Sequence, residues 1–116
     1  MGNAARGSIP PRGRVSITIG ASAILVRIAV HRPKPDKVAE MIATMHCMRD
    51  VGRDQQGLQR IHALYDAEAG VLVGLAIWDS EEDWLAAAPA MRATIADVDF
   101  TRLEDNPPDV FELREV

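Results

Sequence analysis

The chain has 116 residues, a net charge of −4 and an apolar fraction of 47%, which describes one small domain with a thin margin for burying a core. The acidic balance excludes a general nucleic-acid binder, which would carry a basic face. No apolar stretch approaches the ~20 residues of a membrane-spanning helix. Cys47 stands alone, which excludes an intrachain disulfide framework and a multi-cysteine zinc site. It is expected to be a small buried hydrophobe in a reduced, cytoplasmic protein.

Residues 1–22 read as a basic, flexible arm carrying Arg6, Arg12 and Arg14, and residues 23–116 as the folded domain. Within the arm, Val15 to Ile19 can add an edge strand or pack on a partner. Ala21-Ser22-Ala23 resembles a signal-cleavage site, but the apolar part before it is short and contains Ser16 and Thr18. Met1-Gly2 hints at myristoylation, yet Arg6 stands where Ser or Thr is wanted.

The β-branched run Ile24 to His31 predicts a first strand. Ile24, Val26, Ile28 and Val30 share one face, and Leu25, Arg27, Ala29 and His31 the other. Arg32-Pro33-Lys34-Pro35 ends it, since proline cannot donate to a ladder. Asp36 is the expected N-cap of a helix reaching about Val51, with Gly52 as its C-cap and Val38, Met41, Ile42, Met45 and Met48 as its apolar stripe.

Leu58 to Tyr65 predicts a second strand, with Gln59, Ile61, Ala63 and Tyr65 on one face and Leu58, Arg60, His62 and Leu64 on the other. The loop Asp66 to Gly70 leads into Val71 to Trp78, a strand with no ionised or hydroxyl side chain. Ser80 with Asp83 resembles a capping box that opens a second helix. Trp84, Ala87, Ala88, Met91 and Ile95 carry its stripe, and Pro89 predicts a kink or two short helices in register. Asn106-Pro107-Pro108 is a stop, and Val110 to Val116 predicts a fourth strand with Phe111 and Leu113 on one face.

The order β-α-β-β-α-β is the split, ferredoxin-like arrangement. Right-handed crossovers place both helices on one face of the antiparallel sheet. The first and third strands are nevertheless apolar on both faces. Leaving the second face in water would expose a patch larger than a soluble monomer tolerates, so a two-fold homodimer joined sheet to sheet is expected.

Two phrases then point to a family: Gly57 to Asp66 (Gly-Leu-Gln-Arg-Ile-His-Ala-Leu-Tyr-Asp), and Val71 to Ala88, a strand ending in Trp, then Ser-Glu-Glu, then an Ala-rich helix. The chain resembles the antibiotic biosynthesis monooxygenase-like family over roughly residues 23 to 116. The resemblance implies an α+β, ferredoxin-like protomer pairing through its sheets as a dimeric α+β barrel. It also implies possible activities: cofactor-free monooxygenation of aromatic polyketides, quinol oxidation, or haem degradation. The haem-degrading branch uses an Asn in the first strand, a Trp ending the third and a His in the next helix. Here those positions hold Val26, Trp78 and Ala88, which argues against haem.

In the family the Trp78 side of the third strand looks toward the helices. The resemblance therefore implies a pocket walled by Trp78, floored by Gly74 and Ala76, and flanked by Val26 and Met91, for a small apolar or aromatic molecule. The competing reading is that Trp78 only fills the core. His46, beside the stripe of the first helix with Asp50 one turn on, is the candidate base; otherwise it is a half-exposed helix histidine. Arg27 with His31, and Arg60 with His62, form polar clusters or meet water at the sheet edges. His31, His46 and His62 lack metal-ligand spacing, so no metal is expected. No glycine-rich phosphate loop or Gly-x-Ser-x-Gly elbow is present. The functional expectation is a cofactor-independent monooxygenase for a small aromatic or quinol-type substrate. The alternative is a non-catalytic dimeric binding or accessory protein of the same fold.

Overall fold

A computed structural model of the chain describes residues 23–116. The expectations for a basic arm and for a strand at Val15 to Ile19 lie outside the described residues. The elements are β1 (Leu25–His31), α1 (Val38–Gly52), β2 (Leu58–Asp66), β3 (Val71–Trp78), α2 (Glu81–Ala93), α3 (Phe100–Leu103) and β4 (Asp109–Arg114). The strands form one antiparallel sheet in the order β2-β3-β1-β4. This is the ferredoxin-like α+β arrangement.

Strand alternation divides the sheet into two faces. Leu25, Arg27, Ala29 and His31 of β1 stand beside Trp78, Ala76, Gly74 and Leu72 of β3. This face carries the helices. Trp78 and Leu25 pack with Trp84, Ala87, Ala88 and Met91 of α2, while Leu72 packs with Met41 of α1 and Leu103 of α3. The other face presents Val26, Ile28 and Val30 beside Ile77, Leu75 and Val73, with Leu113 and Phe111 on β4 and Leu64 on β2. Leu64, Phe111 and Leu113 are each about half exposed.

Several local details depart from the sequence-based expectation. A bulge between Leu58 and Arg60 returns Leu58 to the helix face, where it packs against the tryptophan cluster with Ile61. The bulged Gln59 spends its side chain on Asp79, donating Nε2 to Oδ1 at 2.8 Å. Asp36 does not cap α1, whose N-cap is Lys37 without a side-chain hydrogen bond. Gly52 lies inside the last turn, followed by Arg53 in right-handed conformation. It is glycine because the helix runs close to its neighbours: a Cβ there would sit 2.8 Å from Ile61 Cδ1 and 3.2 Å from Met91 Cε. Cys47 is exposed, turned away from the α1 stripe.

The α2 terminus forms as expected: Ser80 Oγ accepts from Asp83 N at 3.1 Å and donates to Asp83 Oδ2 at 3.0 Å. The helix then runs as one element through Pro89, which sits on its exposed side. The four-residue α3 was not anticipated. Asp99 caps it, accepting from Thr101 N at 3.1 Å and from Thr101 Oγ1 at 2.6 Å.

Gly57 joins β2 to the start of α2. Its φ is +85° and its carbonyl accepts from Asp79 N at 2.7 Å. A Cβ at this position would meet the Asp83 carboxyl carbon at 2.3 Å. Gly57→Ala should therefore cost about 1–3 kcal/mol, through left-handed backbone strain and loss of the Ser80–Asp83 cap. The expected readout is a lower urea midpoint with an unchanged m-value.

Candidate functional site

Between the sheet and the helices lies a cavity of about 450 Å³, within the usual range for small-molecule sites. Its floor is the short-side-chain stretch of the sheet, Ala29, Ala63, Gly74 and Ala76. Met45 and Met48 of α1 and Met91 of α2 form the ceiling. The small floor residues do not leave wholly empty space. A Cβ on Gly74 would lie 3.0 Å from Met45 Cε, so the methionine already rests on the glycine.

One end of the cavity is aromatic. Trp78 is fully buried, and its ring lies 5.7 Å from that of Trp84 at an interplanar angle of 55°. The Arg27 guanidinium covers the Trp84 ring with Cζ 3.9 Å from the centroid, a cation–π contact. Arg27 Nε also donates to Glu112 Oε2 at 3.0 Å across to β4. The Trp78 indole N–H is buried and has no acceptor among the described residues. Such an orphaned donor is costly, about 1–3 kcal/mol.

The other end is built by the meeting of β1 with α3. Lys34 N donates to Leu103 O at 2.8 Å, and Pro33 bridges to Glu104. This clamp brings the α3 C-cap residue Glu104 against the last residue of β1. His31 Nδ1 lies 3.0 Å from Glu104 Oε2 and 3.3 Å from Oε1. Both residues are buried. With the carboxylate as acceptor, Nδ1 is the ring nitrogen that carries the hydrogen. The Phe100 ring stacks on the imidazole at 6.4 Å and 22°. The exposed Asp105-Asn106-Pro107 segment forms the rim beside this pair.

The structure gathers Trp78, Gly74, Ala76 and Met91 around the cavity. It does not place Val26 there. Val26 pairs with Ile77 on the face turned away from the helices, because alternation along β1 sends Leu25 and Arg27 inward instead. His46 is half buried on α1 but does not line the cavity, which α1 meets through Thr44, Met45, Met48 and Arg49. His31 and Glu104 were missed as a pair. Their separation of 73 residues hides them, and only the inward face shared by Arg27 and His31 hinted at one partner.

No family model matches the sequence, and no curated protein matches it. Solved structures do. Rv0793 from Mycobacterium tuberculosis is 22% identical, covers 81% of this chain and 96% of its own, and superposes with a TM-score of 0.71. A candidate antibiotic biosynthesis monooxygenase from Nitrosomonas europaea is 17% identical over 82% and 92% of the two chains, at a TM-score of 0.66. A candidate monooxygenase from Shewanella loihica is 25% identical over 84% and 100%, at 0.62. The fold is therefore that of the antibiotic biosynthesis monooxygenase-like proteins, as the Trp78 and Ser80-Glu81-Glu82 phrase implied.

His31→Ala leaves the buried Glu104 carboxyl without its hydrogen-bond partner and should cost about 1–3 kcal/mol. Glu104→Gln keeps an acceptor for Nδ1 and should cost about 1 kcal/mol. Paired urea titrations measure the difference.

Acid should loosen α3 first. Hydrogen bonds and the charge of Arg102 hold the Glu40 carboxyl below its ordinary range, and the Thr101 hydroxyl and N–H do the same for Asp99. Carboxyls depressed in the folded state stabilise it fully above their unfolded values near pH 4, and that support disappears as the pH falls through the folded values. Below about pH 4 the amide shifts of Thr101 and Leu103 should move while those of β3 stay fixed.

Proposed function

We propose that this chain binds a small, planar aromatic compound in the cavity beside Trp78 and oxygenates it without a cofactor. The observation that carries the reading is an apolar cavity with a buried tryptophan wall at one end and a buried polar pair at the other. Likeness of fold to proteins named as candidate monooxygenases supports it.

In such a reaction the activated carbon loses a proton and its carbanion passes one electron to O2. The resulting radicals combine as a peroxide. Loss of water then leaves a carbonyl, so R2CH2 and O2 become R2CO and H2O. The protein contributes desolvation, orientation and a proton acceptor.

The same proposal places the protein in the cytoplasm as a homodimer. The support for the dimer is the half-exposed apolar face formed by Val26, Ile28, Val73, Leu75, Ile77 and Phe111. A two-fold pairing of that face would remove it from water. Among the described residues no helix is long and apolar enough to cross a membrane.

Oxygen uptake with a panel of hydroxyanthrones and quinols tests the reaction. Ligand binding without uptake would leave a binding protein of the same fold. Trp78→Phe should change stability by no more than about 1 kcal/mol, because the smaller ring also removes an unsatisfied donor. It should nevertheless weaken quinone binding, measured by fluorescence quenching of Trp84. A residue that only fills the core would leave the affinity unchanged. Sedimentation at micromolar concentration should give a dimer, and Leu75→Lys should give a folded monomer.

A further inference from the structure

We propose that His31 is the proton acceptor of the cavity, positioned by Glu104, and that the ligand is an aromatic hydroxyl compound seated with its O–H at this end. The assignment rests on the aromatic-ligand reading above and adds to it the residues that receive and stabilise the proton.

Elimination supports His31 first. The titratable residues around the cavity are Arg27, His31, Arg49, His62, Glu104 and Asp105. Arginine does not release its proton in a folded protein. His62 stands opposite Leu75, on the face turned away from the helices. Asp105 lies exposed at the rim, and Glu104 is already engaged by His31. Imidazole is also the side chain suited to taking and returning protons near neutral pH.

The geometry supports it next. Glu104 occupies Nδ1, while Nε2 has no hydrogen-bond partner among the described residues. His31 lines the cavity, with its side chain 11% exposed. A buried carboxylate behind one nitrogen fixes the ring and stabilises the charge that appears when the other takes a proton. Phe100 restrains the ring plane from a third side. The remaining charged groups nearby are committed elsewhere: Arg32 Nη1 donates to Asp109 Oδ2 at 2.9 Å, Lys34 Nζ lies 3.8 Å from Asp105 Oδ1, and Arg27 is tied to Glu112. None of them shares Nε2.

The step is a proton transfer. The ligand O–H bond breaks, its electron pair stays on oxygen as an aryloxide, and the proton forms a new N–H bond at Nε2. The product is an imidazolium–carboxylate pair facing the aryloxide. Nothing is oxidised in this step; for a substrate reacting as its enol tautomer the aryloxide is the same delocalised anion as the carbanion described above, and this anion passes the electron to O2.

The test uses the full chain with 2-hydroxyanthraquinone and its methyl ether. The wild type should bind the hydroxyl compound about tenfold more tightly than the ether, the usual advantage of a hydrogen bond to a charged group. The bound dye should show the red-shifted aryloxide band at a pH where the free dye is neutral. The His31 Cε1 NMR signal should move to the imidazolium position with the hydroxyl compound only. His31→Gln should lose both the band and the preference. Glu104→Gln should develop the band only at higher pH, because an imidazolium without its counter-charge is harder to form. The double variant His31→Gln/Glu104→Gln, which leaves no buried charge, should behave as His31→Gln.

A His31→Gln variant that keeps the band with the wild-type pH profile overturns the assignment. Equal binding of hydroxyl compound and ether, with no band, overturns it while leaving aromatic binding intact. Failure to bind either compound overturns the aromatic-ligand reading and the assignment with it.

Discussion

The two-residue period of β1 and β3 is the constraint on which the rest of the molecule depends. Along β3 it sends Leu72, Gly74, Ala76 and Trp78 beneath the helices and Val73, Leu75 and Ile77 away from them. Along β1 it aligns Leu25, Arg27, Ala29 and His31 with the first set. A slip of one residue would exchange the faces entirely. It would put valines and isoleucines where the cavity needs short side chains, and would carry His31 away from Glu104. Apolar packing at both extremes of β3, Trp78 against α2 and Leu72 against α1 and α3, fixes the register.

Within that frame, two polar side chains of the cavity lie toward the ends of one strand. Arg27 and His31 are four residues apart on β1, roughly 13 Å along an extended chain. Between them lies only Ala29 on the same face. The strand thus presents one cation near the tryptophans and one imidazole near α3, separated by a shallow apolar floor. α3 is small, but without its attachment through Lys34, Arg102 and the Asp99 cap neither Glu104 nor Phe100 would meet His31.

Several local signals were legible in the sequence, although Asp36 does not cap α1 and Pro89 does not split α2. The bounds of β3 follow from its unbroken apolar run, and the Ser80 cap from its spacing to Asp83. What was hidden depends on contacts distant in sequence. Gly52 reads as a helix stop but serves a close approach to Ile61 and Met91. Leu58 reads as an outward residue until the bulge at Gln59 adds one position to β2. Four-residue α3 is too short for periodicity to reveal. His46 looked more suitable than His31 because it neighbours a hydrophobic stripe, yet that stripe turns Met45 inward and His46 aside. Val26 occupied the position suggested by likeness, but alternation places it on the opposite face.

The methionine ceiling gives the cavity walls of unequal stiffness. Its floor is strand backbone with almost no side chain to move, held by hydrogen-bonded ladders on both sides of β1 and β3. Met45, Met48 and Met91 are unbranched and adapt by rotating about soft torsions. A molecule inserted there meets a flat, rigid plate below and a compliant cushion above. Thickness is therefore policed by the plate only as far as flatness, while outline is negotiated with the sulfur chains. Discrimination between occupants of similar bulk falls to the few polar atoms at the two ends, and a different outline is accommodated by swapping ceiling residues with the strands untouched.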